Sequence, residues 1–131
     1  MSPSVEAVCV DPRRVEGIWH IAKPMIDDAM KKTGLNTIEE VERDVLSGRS
    51  LLWLAWDGKI RAAAVTEIAK DVCTIVACAG GGMKSWLHLI KRLESYARDE
   101  GCGMVRILGR KGWVRVLKNY QAKHVILERR L

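Results

Sequence analysis

The sequence predicts one α/β domain of the α+β kind, in which a mixed, mostly antiparallel sheet is flanked by helices and centred on a single parallel crossover. Three observations predict it. Residues 72–108 (VCTIVACAGGGMKSWLHLIKRLESYARDEGCGMVRIL) read as strand, glycine turn, helix and strand. Two apolar runs, SLLWLAW and KIRAAAVTEI, flank Asp57-Gly58, a strong hairpin signal. The chain has 131 residues, 48% hydrophobic and 29% charged, which suits a single globular domain that buries a core without disulfides or metals.

Taken in order, Val5 to Val10 alternates weakly and reads as a first strand ending at Asp11-Pro12. Asp11 can cap a helix and Pro12 suits its first turn. From Arg13, the spacing of Val15, Ile18, Trp19 and Ala22 is helical. Pro24 predicts a kink or two consecutive helices, the second over about residues 25–32 and closed by Gly34. Thr37 and Glu40 form a capping-box pattern for the next helix, whose apolar side is Ile38, Val41, Val45 and Leu46 and whose end is Gly48. The hairpin strands follow, and Ala69-Lys70-Asp71 turns the chain into Cys73–Ala79, where only Thr74 is polar. Both faces of that strand are expected to be buried.

Ser85 to Glu100 carries an apolar stripe of Trp86, Leu89, Ile90, Leu93 and Ala97, with Gly101 just past its end. Met104–Leu108 is short and apolar and returns beside the first strand of the unit as a right-handed crossover. After it come a short helical stretch, Trp113 to Lys118, and a final strand near His124–Arg130.

Charge is unevenly spread. Residues 1–57 carry a net −3 and residues 58–131 a net +9. A basic half suits an anionic partner, or simply a solvated surface. Arg106, Arg110, Lys111, Arg115, Lys118 and Lys123 lie near Trp113 and Tyr120, yet no nucleic-acid-binding motif is visible. Nucleic acid is therefore not the expected partner. Cys9, Cys73, Cys78 and Cys102 form no CxxC pair, and Cys73 and Cys78 are expected on opposite faces of one strand. Free thiols and a cytoplasmic setting are expected. His20, His88 and His124 lack metal-ligand spacing, so no metal site is expected. No run reaches the roughly 18 apolar residues of a membrane span, and the N-terminus has no signal-peptide pattern.

The chemistry is expected at Gly80, Gly81 and Gly82, with Lys84 and Ser85 immediately after. Glycines allow a sharp turn and a close approach of backbone to ligand, and a helix N-terminus is a ready anion site. Three glycines could equally serve only close strand–helix packing. GGGMKS nearly fits GxGxxG but lies too late in the chain for a dinucleotide fold, and Met83 breaks the Gly-Lys-Ser of a P-loop. Trp53 and Trp56 either pack in the core or line a cleft at the hairpin end. Glu67 is either a solvent-facing strand residue or a general base, and His20 either lines an acceptor site or stands by.

The segment IVACAGGGMKSWLHLIKRLESYARDEGCGMVRILGR, with WVRVLKNYQA after it, resembles the GNAT superfamily of acyl-CoA-dependent N-acetyltransferases, and the element order matches over Val5 to Leu131. Gly80 and Gly82 match the two glycine positions of the family's turn, and Ala97 and Gly101 its helix end. The resemblance implies a single GNAT-like domain over residues 1–131 that transfers an acetyl group from acetyl-CoA to a small-molecule or protein amine. It implies that coenzyme A is held by Cys78, Ala79, Gly80, Gly81, Gly82, Met83, Lys84 and Ser85. The pantetheine arm would lie between the two parallel strands where they splay.

Where the family carries Arg or Gln this chain has Ala77, so Lys84, or Lys91 and Arg92, would have to supply the charge. Glu67 is expected as base and Tyr120 as acid. If Tyr120-Gln121-Ala122 fills the place of the family's Gly-aromatic pair, the tyrosine slot instead holds Val116 or Leu117. The alternative is a non-catalytic GNAT-like module that serves binding or assembly, as a homo-oligomer or in a phage particle.

Overall fold

The computed structural model describes residues 5–33, 35–80, 82–109 and 111–131. Gly34, Gly81 and Arg110 lie outside the described residues, as do the side chains of Met83, Lys84 and Lys111. The elements run β1 (Glu6–Cys9), α1 (Val15–Thr33), α2 (Ile38–Leu46), β2 (Leu51–Trp56), β3 (Ile60–Ala69), β4 (Val72–Gly80), α3 (Met83–Asp99) and β5 (Met104–Ile107), followed by a short 3₁₀ helix, Lys111–Arg115. The five strands lie in sheet order β1-β2-β3-β4-β5. β1 to β4 pair antiparallel, and β4 and β5 pair parallel, as the crossover requires.

Alternation along the strands builds two cores. Leu52, Leu54, Ala63, Val65 and Ala77 face α1 and α2. Trp53, Ala55, Ala62, Ala64 and Ile75 face α3, where Leu89, Ile90 and Leu93 meet them. The hairpin turns at Asp57-Gly58, with Gly58 at φ +97°, a conformation that favours glycine.

Helix α1 corrects one expectation, because it runs unbroken through Pro24. The buried residues Val15, Trp19, Ala22, Ile26 and Met30 line one face on both sides of the proline, which itself is exposed. Losing one backbone bond and straining the turn costs about 3 kcal/mol, whereas each fully buried large apolar side chain returns about 1.5–3 kcal/mol. The continuous stripe wins. Across the same stretch, Trp19 Nε1 donates to Glu42 (2.6 Å) and Lys23 pairs with Glu42 (2.9 Å), latching α1 to α2. The capping box at α2 forms in one direction, the Glu40 amide donating to Thr37 Oγ1 at 3.2 Å.

The expected last strand near His124–Arg130 is also corrected. Residues 121–131 form neither strand nor helix, and Val125 and Leu127 stand 81% and 91% exposed. A strand needs a ladder partner, and β-propensity alone does not supply one. The expected helix at Trp113–Lys118 starts two residues earlier, as the 3₁₀ turn.

Candidate active site: a cleft where two parallel strands part

The register of the sheet contains one irregularity that shapes the site. Thr66 faces Ile75 while Val65 faces Ala77, so Val76 is an extra residue, a β-bulge in β4. Its effect on facing is visible in the cores. Ile75 packs on the α3 side, Val76 and Ala77 both on the α1 side, and Cys78 again on the α3 side. This reverses the expected placement of the cysteines: Cys73 shares the parity of Ile75, and the bulge brings Cys78 to the same face.

At this point β5 leaves β4. The parallel register ends at Ile75↔Ile107, and the last rung is the Leu108 amide donating to the Ile75 carbonyl at 3.1 Å. From Ala77 to Gly80, β4 is paired among the described residues only with β3, so the backbone edge that faced β5 is open there. A cleft of about 570 Å³ occupies the gap. Its walls are Val76–Gly80 on one side and Leu108, Gly109, Trp113 and Val116 on the other. Helix α1 adds Asp28, Lys32 and Thr33.

At the open end of β4 the chain turns into α3, with Gly82 as N-cap and no acidic residue in the first turn. Helix α2, by contrast, carries Glu39 and Glu40 in its first turn. The positive end of the α3 dipole therefore has no carboxylate in its own first turn to complement it. Gly82 sits at φ −160°, extended backbone that any residue adopts, and a Cβ there would meet nothing within 4 Å. The glycine the packing demands is Gly80, where a Cβ would lie 2.9 Å from Ala62 Cβ and 3.2 Å from the Arg61 carbonyl.

The residues expected to bind cofactor thus divide. Cys78, Ala79 and Gly80 line the cleft. Gly82 and Ser85 form the start of α3, the Ser85 amide donating to the Gly82 carbonyl at 3.2 Å. Gly81 and the side chains of Met83 and Lys84 lie outside the described residues. Arg92, expected to lend charge to the turn, lies instead over the Trp53 ring, 5.3 Å from its centroid.

Neither expected catalytic residue is brought to the cleft. Glu67 pairs with Thr74, six residues down β4 from Gly80, which is roughly 20 Å at strand rise. Antiparallel pairing sends the end of β3 away from the turn. Tyr120 packs against the α3-side core, and its hydroxyl donates to Glu94 at 2.6 Å. Burial, then that hydrogen bond, raise its pKa above the ordinary phenol range, and its proton is already directed at Glu94 rather than at the cleft. Tyr120→Phe is accordingly expected to cost stability, about 1 kcal/mol for the lost bond, read as a lower urea midpoint. Any acetyl transfer should continue at the same rate; a hundredfold slowing would restore Tyr120 as the acid.

Within the cleft, burial pushes the Cys78 thiol up to about 12, which makes it a neutral wall rather than a nucleophile or acid. The sequence did not single out Asp28, Lys32 and Thr33 on α1, nor Trp86 and Trp113, whose rings stack 4.7 Å apart at 36°, as lining residues. The available signal was position, since Trp86 falls in the first turn of the helix after the glycines and Trp113 follows Gly112. Trp53 is instead core, and Trp56 is exposed.

No protein-family model and no curated protein matches the sequence. Solved structures do match in fold. An aminoglycoside acetyltransferase from an uncultured soil metagenomic sample, in complex with sisomicin, superposes with TM-score 0.71 at 10% identity, covering 97% of this chain and 96% of its own. A predicted acetyltransferase of Clostridium acetobutylicum with acetyl-CoA gives 0.69 at 12%, covering 96% of each chain. A GNAT family acetyltransferase of Staphylococcus aureus gives 0.66 at 12%, covering 98% and 99%. The fold is the GNAT fold, over nearly the whole chain.

Proposed function

We propose that the cleft binds acetyl-CoA and that the protein transfers its acetyl group to an amine. The observation that carries this reading is the edge of β4 from Ala77 to Gly80, unpaired on the β5 side among the described residues and leading directly to a helix N-terminus with no acidic residue in its first turn. An amide-bearing arm can pair with the free N–H and C=O groups of that edge, and phosphates suit the helix end. The sisomicin and acetyl-CoA complexes of proteins with this fold support the same reading.

Acetyl-CoA, when bound, supplies the activated acetyl group. The chain's part is to orient and polarise. An open-edge N–H donates to a carbonyl oxygen lying against β4 and stabilises charge developing there. Trp86 and Trp113 exclude water from one side. Asp28 is the carboxylate that lines the cleft, placed to receive, directly or through water, the proton an attacking amine must shed. With the Tyr120 hydroxyl donating to Glu94, the departing thiolate, whose conjugate thiol has a pKa of roughly 8.5, takes its proton from solvent.

Acetyl-CoA is expected to raise the melting temperature, since it binds only the folded state. In a panel of small amines and peptides, Asp28→Asn should lower kcat/KM by about 10²-fold while leaving the thermal shift intact. No shift at millimolar acetyl-CoA in low salt would end the reading. Binding without turnover would favour a non-catalytic module, in a phage particle or elsewhere. That second reading has its own support, in Ala77 at the charged position of the family turn and in the distance of Glu67 from the cleft. Among the described residues no helix is long and apolar enough to cross a membrane, and the cytoplasm remains the proposed setting.

A further inference from the structure

Among the described residues the ion pairs involve Arg13, Lys23, Lys31, Arg43 and Arg61, and none lies beyond residue 61. The net +9 of residues 58–131 is therefore not spent within the chain. Helix α3 gathers part of that surplus. His88, Lys91, Arg92, Ser95 and Arg98 are all exposed. Their spacings of three, four and seven set them along one side of the helix, over about 15 Å. The opposite side is the buried stripe of Leu89, Ile90, Leu93 and Ala97. Arg92 lies over the Trp53 ring, which fixes where that cation sits.

Packing widens the face. The segment from Trp113 to Tyr120 lies against α3 through the Trp86–Trp113 stack, the core position of Leu117 and the Tyr120–Glu94 hydrogen bond. It adds Arg115 and Lys118, both exposed. That same bond engages Glu94, the carboxylate that falls among these cations, while Asp99 and Glu100 come past them at the helix end.

We propose that this face of α3, with the segment from Trp113 to Tyr120, binds double-stranded nucleic acid through its phosphate backbone, independently of base sequence. The binding does not rest on the acetyl-transfer reading. It reverses the expectation drawn from the absence of a local motif, because the face is assembled from two segments by packing. A protein partner would need an apolar centre to bury, and a lipid surface a group to insert. Among the described residues no exposed large apolar residue lies on α3. A duplex strand carries one charge about every 3.4 Å of its axis, so a straight row of this length can meet three or four phosphates. Ser95 adds a hydroxyl donor for a phosphate oxygen. The unpaired bases of a single strand would want Trp or Tyr rings to stack on, and the row has none.

The test uses the full chain and a mixed-sequence DNA duplex with a terminal fluorophore, followed by anisotropy without acetyl-CoA. Saturable binding at low salt is expected. Log affinity should fall against log salt with a slope of about −3 to −4, about −0.9 for each phosphate met. Arg98→Glu with Lys118→Glu should weaken binding about 10²-fold. Arg43→Glu with Arg49→Glu, the same change of net charge in and beside α2, should cost less than about threefold. Equal losses in the two variants overturn the proposal. So does an absence of binding, a slope near zero, or tighter binding of a single strand of the same length. Displacement of the duplex by polyglutamate at equal charge would assign the face to an acidic protein and overturn it as well. Displacement by millimolar acetyl-CoA would assign these cations to the cleft, with the same result. The salt slope and the competitors use the unaltered chain, so they hold whether or not a variant folds.

Discussion

Gly80→Val is expected to abolish the thermal shift given by acetyl-CoA and to lower the melting temperature of the free protein. The β-carbon alone would sit 2.9 Å from Ala62 Cβ, closer than carbons approach one another, and 3.2 Å from a backbone carbonyl that cannot rotate aside. Valine adds two methyl groups to that collision. Overpacking of this kind costs about 1–3 kcal/mol, roughly 3–10 °C for a chain of this size. Relief is available only by pushing the end of β4 away from β3, into the cleft and off the line that leads to α3. Gly82→Ala is the matched control, because its extended backbone and empty surroundings accept a side chain. Wild-type melting and cofactor response in the Gly80 variant would show that the end of β4 does not define the site.

Trp53→Ala should be the most damaging single truncation in the α3-side core. The ring is 1% exposed, its Nε1 donates to Thr66 Oγ1 at 3.0 Å, and it packs against Tyr96 with centroids 5.0 Å apart. Truncating a buried tryptophan costs about 3–5 kcal/mol, and here Thr66, itself buried, also loses its partner. Against a total of about 5–15 kcal/mol for a typical domain, urea unfolding should show a midpoint reduced by a third or more. Trp53→Phe, which keeps most of the ring volume, should recover over half of the loss. A midpoint within 0.5 M of wild type, roughly 1 kcal/mol at a usual urea slope, would place the stability of this face elsewhere.

Much of the fold was legible because local signals agreed with one another. The Asp57-Gly58 turn, the stripe from Trp86 to Ala97 and the glycine after it each point to the element that forms. Pro24 misleads because propensity is a local cost and the α1 stripe is a long-range gain. The His124–Arg130 segment misleads in the opposite sense, since its β-prone residues find no ladder. A cleft does lie beside the strand end that the glycines mark, but the groups that line it were not legible. A one-residue bulge at Val76 and the pairing of Glu67 with Thr74 decide which groups converge, and register across strands leaves no mark in either segment alone. The link between Tyr120 and Glu94 spans 26 residues and is equally silent in the sequence.

Sheet order here equals chain order, and this bears on how the molecule assembles. Leu51 to Gly80 is a three-stranded meander joined by two tight turns, so its pairings close the shortest loops in the sheet. β1 must wait for β2 across two helices, and β5 must wait for β4 across one. Loop-closure entropy therefore ranks the meander first during refolding, the parallel β4–β5 pairing next, and β1 against β2, whose partners lie farthest apart in the chain, last. The gap between β4 and β5 is then a later-forming margin of an early-forming plate. Pulse-labelled hydrogen exchange should protect Val65 and Leu54 amides before those of β5, and simultaneous protection would remove the ranking.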